Sequence, residues 1–420
     1  MSCVRVYLAL AAIGASALTS VSAFAQEAGT DLADVRGQSV MERARPGYDP
    51  VGVHVGSFMV FPQARIKESY DDNIYAASTG EKDDFITTLG ASVSANSTWS
   101  RHALSLSGSV SQALYSDHSD ENRLDWNVGG AGRLDITGQT SLDASARYAR
   151  LHEDRSDPNS PLTANEPVEY DLFNATATFN QRFNRLGFEI GGEFRDYDYK
   201  NATSNTGTFI LQDNRDRKEY LERARVAYFV SPDTNVFVEG NIDQRRYDNV
   251  YTLDRDSDGW AALVGSEFKL TRLAQGEVYV GYQERDYKAS TLGSTQGLTY
   301  GANIDWFVTP LTTVKLTADS RVEETTVGTA SGYDNQRVAL GVDHELLRNL
   351  ILRGRVSFAN NDFNDNPRND DIIGAGASVL YLLNRNFDVG LAYDYTNRDS
   401  NVTGFDYTRN IVALTLTGKL

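Results

Sequence analysis

The stretch that decides the fold is GLTYGANIDWFVTPLTTVKLTADSRV, residues 297–322, in which two alternating segments flank a short turn at 309–312. Apolar residues up to Val308, and again up to Val322, occupy nearly every second position, with polar or charged residues between them. Side chains of a strand alternate between its faces, so the pattern predicts a hairpin with one apolar and one charged side. Such a hairpin fits a soluble sandwich, whose apolar side is the core, and a membrane barrel, whose apolar side meets lipid.

The same alternation recurs along the chain, for example in residues 84–96 and 409–420. We count about 18 such segments, each near the roughly 9–11 residues that a tilted membrane strand needs. Their connections alternate between short ones, such as 309–312, and long ones, such as 152–169 and 200–219. A soluble sandwich has no reason to sort its loops by length, whereas outer-membrane barrels have short periplasmic turns and long external loops.

The sequence therefore predicts an all-β fold, a transmembrane antiparallel up-and-down β-barrel of about 18 strands, with short periplasmic turns and long external loops. Small residues on the apolar side, such as Gly130, Ala144 and Ala302, argue against an interdigitated soluble core. We expect the chain to lie in the bacterial outer membrane, in contact with lipid and lipopolysaccharide. Its charged side would then face an aqueous lumen.

The first residues predict an exported protein. Arg5 precedes an apolar run, and a small-residue site ends at Ala25, so residues 1–25 form a predicted signal peptide that is cleaved after Ala25. Residues 26–55 show no strand pattern until their end and form a predicted periplasmic segment, which would be a tail, a plug or a docking arm. The barrel is predicted for residues 56–420.

Composition narrows the classes of function. The chain has 57 Asp and Glu residues against 40 Lys and Arg residues, which gives a formal net charge of -17. An acidic chain without a basic stripe is a poor ligand for nucleic acid, so we predict no nucleic-acid partner. The 22 Tyr and 18 Phe residues suit strands with aromatic belts at the membrane interfaces.

Motifs for catalysis do not occur in the sequence. The five histidines have no metal-ligand spacing with one another, and neither G-x-S-x-G nor H-E-x-x-H is present. These histidines are His54, His102, His118, His152 and His344. We therefore predict that the chain is not an enzyme and needs no cofactor.

One acidic run is similar to a calcium-binding loop. Residues 254–259 match D-x-D-x-D-G, with Asp254, Asp256 and Asp258 as candidate ligands. The twelfth position is Gly265 rather than Glu, and a strand pattern follows, which excludes an EF-hand. We assign no metal site, and three interpretations stay open: a calcium site of another kind, a contact to lipopolysaccharide through divalent cations, and a solvated acidic loop.

Charged and aromatic residues on the side opposite the apolar residues are the candidate lumen lining. They are Arg147, Glu193, Arg223, Arg225, Phe237, Glu239, Arg245, Glu277, Tyr279, Arg285, Lys315, Asp319, Arg321, Arg337, Asp343, Arg353, Arg355 and Asp394. These charges either pair across strands and stiffen the wall, or form a hydrated wall that passes a solute without holding it tightly. Phe237 and Tyr279 would be surfaces on which sugar rings slide, or would pack under a loop.

The N-terminal part of the barrel resembles a known family. The matching pieces are 45–50 (RPGYDP), 55–58 (VGSF) and 70–75 (YDDNIY), and KDDFI at 82–86 and the hairpin at Trp99 continue the likeness. This family comprises outer-membrane beta-barrel, porin-like proteins associated with bacterial exopolysaccharide gene clusters. The likeness extends over the mature chain, and its specific part lies in the first hundred residues. It implies a polysaccharide substrate, a periplasmic polysaccharide-export protein as partner, and no catalytic residue.

Two functions therefore stand beside each other. The first is an exit channel that secretes an exopolysaccharide across the outer membrane, and the alternative is a general or small-solute diffusion porin. A porin would carry a constriction loop folded into its lumen, for which residues 152–169 and 200–219 are the candidates. A third possibility is a structural or adhesive barrel whose loops are the working part.

Overall fold

A computed structural model describes residues 37–161, 163–249, 253–270, 272–325, 327–328 and 330–420. The predicted signal peptide, with its cleavage after Ala25, and residues 26–36 lie outside the described residues. Within the described ranges, no helix is long and apolar enough to cross a membrane.

Eighteen long strands account for most of the described chain. In order they are β1 Phe58–Asp71, β2 Asp84–Ser97, β3 Ala103–Tyr115, β4 Arg123–Thr137, β5 Thr140–His152, β6 Glu169–Phe183, β7 Leu186–Tyr199, β8 Arg217–Ser231, β9 Thr234–Tyr247, β10 Ser257–Leu270, β11 Ala274–Tyr287, β12 Thr295–Thr309, β13 Thr312–Glu323, β14 Tyr333–Leu347, β15 Leu350–Phe363, β16 Asn369–Leu382, β17 Phe387–Ser400 and β18 Tyr407–Lys419. The short elements are the strands Val53–Val55, Ala202–Thr203 and Phe209–Ile210 and the 3-10 helices Ser119–Glu121 and Asp213–Arg215.

The long strands form one closed, up-and-down sheet. Each strand pairs antiparallel with the next along the chain, and β18 pairs with β1, where Leu416 lies opposite Ile66. Closure leaves none of these strands with a free edge on which another chain could add. The predicted fold class and strand number are confirmed. The connections are alternately short and long, so the two open ends of the barrel differ. We call them the short-turn mouth, where the barrel also begins and ends along the chain, and the long-loop mouth.

The apolar side of the decisive hairpin points away from the barrel. Leu298 and Trp306 are 72% and 52% exposed, and the register sets Ile304 beside Leu316 on the same face. Exposed Val, Leu and Ile side chains continue this surface around the other strands. An apolar belt of this kind is the surface that lipid covers.

Aromatic pairs mark both rims of the outer face. Near the long-loop mouth, the rings of Tyr70 and Phe85 lie 5.1 Å apart on neighbouring strands. Near the short-turn mouth, the rings of Phe183 and Phe188 lie 6.0 Å apart. Amphipathic and aromatic rings at these two levels form the girdles expected at membrane interfaces.

The alternation fails at the outer end of β13. The sequence pattern puts Val322 on the lipid face, but this residue is only 8% exposed. The ladder between β12 and β13 ends at the pair Gly301–Asp319, and beyond it the carbonyl of Val322 accepts a hydrogen bond of 3.1 Å from Arg245 of β9. This end of β13 therefore leans into the barrel, which is a tertiary contact that side-chain periodicity does not report.

Candidate permeation pathway

All eighteen candidate lining residues lie on the strand face opposite the exposed apolar residues. Of the sixteen that are charged, thirteen form ion pairs with side chains of the same or nearby strands. For Arg147, Lys315 and Arg337, no carboxylate in the described part of the chain lies within 4.0 Å. The inner wall is therefore largely, but not fully, charge-compensated.

A cluster around Arg225 shows how the charged part of the wall is built. Its guanidinium bonds Glu239 at 2.6 Å and Glu277 at 2.9 Å, and it lies 3.8 Å from the centre of the Phe237 ring. Phe237 is 2% exposed, so it offers no free face to a passing solute. Tyr279 lies against β12 at Gly301, where a Cβ atom would collide with the tyrosine ring.

The connection between β5 and β6 folds into the long-loop mouth, and we call residues 153–161 the crossing loop. Arg409 of β18 binds Asp154 at 3.1 Å, and Arg398 of β17 donates a hydrogen bond of 2.8 Å to the carbonyl of Ser156. Burial acts to raise the pKa of Asp154, but Arg409 and the hydrogen bonds from Ser156 outweigh it and hold that pKa well below its usual range. The loop thus spans from β5 to the inner faces of β17 and β18.

Two buried ion pairs anchor the crossing loop. Arg155 of the loop binds Glu121, and Glu153 of the loop binds Arg215. The guanidinium of Arg215 also lies 4.0 Å from the centre of the Tyr199 ring. Arg215 belongs to the connection between β7 and β8, so the two segments named above as constriction-loop candidates pack together at this mouth. The first crosses the lumen and the second supports it.

A connection that was not predicted to enter the lumen, between β13 and β14, also does so. Glu324 binds Arg245 and accepts a hydrogen bond of 2.7 Å from the hydroxyl of Tyr247. The hydroxyl of Thr325 donates a hydrogen bond of 2.7 Å to the side chain of Asn159 in the crossing loop. The two loops therefore meet inside the mouth. This connection is shorter than the two candidates, and nothing in its sequence separates it from an ordinary external loop.

The N-terminal segment, residues 37–49, occupies the short-turn mouth. The backbone N–H of the fully buried Val40 donates a hydrogen bond of 3.0 Å to the hydroxyl of Thr313. Arg43 and Arg45 both bind Glu345 of β14, at 3.2 and 3.0 Å. Of the three predicted forms, the described residues resemble a plug: they sit inside the mouth rather than extending from it.

Two of the three aspartates of the candidate calcium loop are met by side-chain cations. Asp258, on the outer face of β10, binds Arg246, and Asp256 binds Lys288 at 2.5 Å. Asp254 accepts a hydrogen bond of 3.1 Å from the backbone N–H of Asp256. Among the described residues, no group of three His, Cys, Asp or Glu side chains is arranged to hold a metal ion.

A closed antiparallel barrel with a lipid-facing apolar belt, two aromatic girdles and a charged inner wall defines an outer-membrane β-barrel of the porin class. The chain belongs to the family described as "Putative beta-barrel porin 2", whose model matches residues 45–420. The predicted family and the outer-membrane location are thereby confirmed. The short-turn mouth faces the periplasm and the long-loop mouth faces the exterior. A comparison with curated proteins finds no match.

Solved barrels from Pseudomonas aeruginosa are among the structures similar to this chain. OccK2 (OpdF) in complex with glucuronate is 13% identical, covers 87% of this chain and 99% of its own, and has a TM-score of 0.47. OpdK with vanillate is 10% identical, the match covers 86% of this chain and 99% of OpdK, and the TM-score is 0.44. A mutant of the ferric enterobactin receptor PfeA is 6% identical, the match covers 86% of this chain and 80% of the receptor chain, and the TM-score is 0.47.

Proposed function

We propose that this outer-membrane barrel is a small-solute diffusion porin whose lumen is narrowed by its own loops, and that it performs no catalysis. An 18-strand barrel encloses a wide aqueous channel unless loops fold in. The observation that carries the proposal is the crossing loop, which spans the mouth and meets Thr325 from the opposite wall. This is the arrangement that a constricted diffusion pore requires.

The same geometry makes export of a polysaccharide the less supported alternative. A polymer in transit needs a continuous opening through both mouths at once. Here buried ion pairs hold the crossing loop at one mouth and residues 37–49 at the other. Both restraints would have to be released during each passage of a polymer. Breaking a buried ion pair by removing one partner costs about 3–5 kcal/mol, so such release is unfavourable. Export would also need the periplasmic partner that the family resemblance implies.

Purified mature protein in planar bilayers and liposomes tests the proposal. We expect the protein to form conducting single channels. The rate of sugar uptake should fall steeply from monosaccharide to trisaccharide, because the constriction excludes larger solutes. In a deletion strain, extracellular polysaccharide should be unchanged. Loss of extracellular polymer in that strain, with polymer retained in the periplasm and secretion restored by complementation, would overturn the proposal in favour of export.

A further inference from the structure

The lipid-facing surface of the barrel has a depression near the short-turn mouth, where β3, β4 and β5 meet the turn between β2 and β3. Its volume is about 380 Å³, within the roughly 300–1,000 Å³ of small-molecule sites. Apolar side chains such as Leu104, Leu134 and Leu142 line it, and Trp99 and His102 of the turn border it. In a membrane, lipid or another protein fills such a depression.

Two small residues give the depression its depth. Gly132 of β4 lies directly opposite Ala144 of β5, and the next outward pair on the same strands is Leu134 opposite Leu142. A Cβ atom added at Gly132 would come no closer than 3.7 Å to the atoms of other strands. Since no close contact within the protein requires glycine here, the space is free for a molecule from the bilayer.

Arg101 is fixed at the periplasmic edge of the depression. Its Nε donates a hydrogen bond of 3.1 Å to the carbonyl of Asp135, and its Nη2 donates bonds of 2.9 Å to the carbonyls of Asp135 and Ile136. The carboxylate of Asp135 itself binds Arg133 at 2.9 Å. No carboxylate of the described ranges lies within 4.0 Å of Arg101. Backbone carbonyls thus orient a guanidinium whose charge is not neutralised by a direct partner.

The cation and the depression are separated by the distance that a phospholipid needs. Trp99, which is 46% exposed, lies 5.8 Å from the ring of Phe58 in the periplasmic aromatic girdle, so this turn lies at headgroup depth. From Ile136, beside Arg101, to Gly132 is four residues of β4, or about 13 Å at roughly 3.3 Å per residue. One leaflet contributes about 15 Å of a hydrocarbon core of roughly 30 Å. A lipid with its headgroup at Arg101 therefore has an acyl chain long enough to reach the depression.

The short turns as a group are basic, although the whole chain has a net charge of -17. Five of the eight turns contain an arginine, and only one contains an acidic residue. The arginines are Arg101, Arg185, Arg272, Arg348 and Arg385, and the acidic residue is Asp233. Basic residues beside a membrane surface attract anionic lipids, so this rim complements the headgroups of such lipids in the inner leaflet.

We propose that the depression binds an anionic phospholipid of the inner leaflet, with the phosphate at Arg101 and an acyl chain over Gly132 and Ala144. Guanidinium groups suit phosphate through their planar set of N–H donors, and the leucines of the lining exclude water from the chain. The occupant is a lipid rather than a second barrel because an oriented cation at headgroup depth complements a phosphate. The site lies outside the lumen and does not depend on which solutes the barrel passes.

Quenching of Trp99 fluorescence by brominated lipids tests the proposal. The parent protein for this experiment carries Trp126→Phe, Trp260→Phe and Trp306→Phe, which leaves Trp99 as its only tryptophan, and it is reconstituted in phosphatidylcholine bilayers. Brominated phosphatidylglycerol at a low fraction should be enriched at Trp99 about five-fold over brominated phosphatidylcholine. That factor corresponds to the roughly 1 kcal/mol that one Lys or Arg contributes at an anionic membrane surface.

Two variants of this parent separate the headgroup contact from the acyl-chain contact. Arg101→Gln should abolish the enrichment of phosphatidylglycerol. Ala144→Leu fills the depression without a change of charge, so it should lower quenching by both lipids. Arg385→Gln is the matched control for Arg101→Gln, because it removes an arginine from the turn between β16 and β17, away from the depression. It should leave the enrichment at Trp99 unchanged.

The outcomes leave the porin and the lipid site separately testable. Equal quenching by the two lipids in the parent protein, or the same loss of enrichment in Arg101→Gln and Arg385→Gln, would overturn the site without affecting transport. Dimers in native mass spectrometry that disappear in Ala144→Leu would assign the depression to a second copy of the chain instead. Circular dichroism and heat-dependent electrophoretic mobility establish that each variant is folded before its quenching is compared.

Discussion

The two mouths of this barrel are restrained in different ways. At the long-loop mouth, the restraint is spread over several separate ion pairs. These are Glu121–Arg155, Glu153–Arg215, Asp154–Arg409 and Arg245–Glu324. At the short-turn mouth, one carboxylate, that of Glu345, receives both Arg43 and Arg45. Distributed contacts tolerate the loss of one member, whereas a shared carboxylate does not, so single substitutions should distinguish the mouths.

The largest effect is expected from Glu345→Gln. It leaves two buried guanidinium groups without their carboxylate, and breaking a buried pair in this way costs about 3–5 kcal/mol. Residues 37–49 should then leave the mouth rather than unfold the barrel. We expect a higher single-channel conductance and rapid tryptic cleavage after Arg43 in the folded protein; Arg45 precedes Pro46 and is not a tryptic site.

Asp388→Asn is the matched control for that variant. It removes a carboxylate at the same mouth, where Asp388 binds only Lys419, at 2.9 Å, among the described residues, and it leaves residues 37–49 untouched. Conductance and trypsin resistance should stay as in the wild type. Equal behaviour of the two variants would mean that Glu345 does not hold the segment.

A smaller effect is expected from Glu324→Gln at the long-loop mouth. The variant loses the ion pair with Arg245, but the anchors of the crossing loop at Arg155 and Glu153 remain. Conductance should rise by less than in Glu345→Gln. Asp258→Asn, which breaks an exposed pair with Arg246 on the outer face, should change nothing. A larger rise in conductance than in Glu345→Gln would show that the remaining ion pairs at the long-loop mouth do not compensate for the one that is lost.

Acidification should tighten the long-loop mouth. Burial, reinforced by Glu153, raises the pKa of Asp157 in the crossing loop from 3.8 to about 6. The docked loop then binds a proton more tightly than the undocked loop, so docking strengthens as pH falls through about 6 and gains nothing further below about 3.8. Asp154, whose pKa Arg409 holds low, stays ionised across this window and does not offset the effect.

Conductance at a pH near 5 should therefore be lower than at neutral pH. Asp157→Asn should give the low value at both pH values, since an amide imitates the protonated acid. Recordings on both proteins at the two pH values decide the point. A pH response that persists unchanged in the variant would show that another group controls the loop.

The smallest effect is expected on the outer surface of the barrel, where side chains face away from the lumen. Lys218 binds Asp248 at 2.7 Å, but the two side chains are 35% and 43% exposed. Exposed pairs of this kind contribute about 0–1 kcal/mol, so Lys218→Ala should leave conductance unchanged and barely alter the free energy of unfolding in urea. A conductance change would mean that exposed contacts on the outer rim also control the current.

Local pattern was enough to predict the barrel. The period of two along the chain predicts the number of strands and which residues face lipid or lumen. The lengths of the connections predict which mouth each one lies at. Both are properties of residues that are neighbours in sequence. The prediction failed at Val322, where the end of β13 parts from β12 while it stays paired with β14. It also gave no reason to single out the connection between β13 and β14 as one that enters the lumen.

The sequence by itself determined which residues face inward, because alternation along a strand needs no partner. Only the tertiary structure decided which inward charges are neutralised: Arg225 has two carboxylates while Arg147 has none in the described chain. It also decided that residues 37–49 fill a mouth, through Arg43 and Glu345, which are 302 positions apart. Contacts at such separations depend on how the sheet closes, and closure is a property of all the strands together.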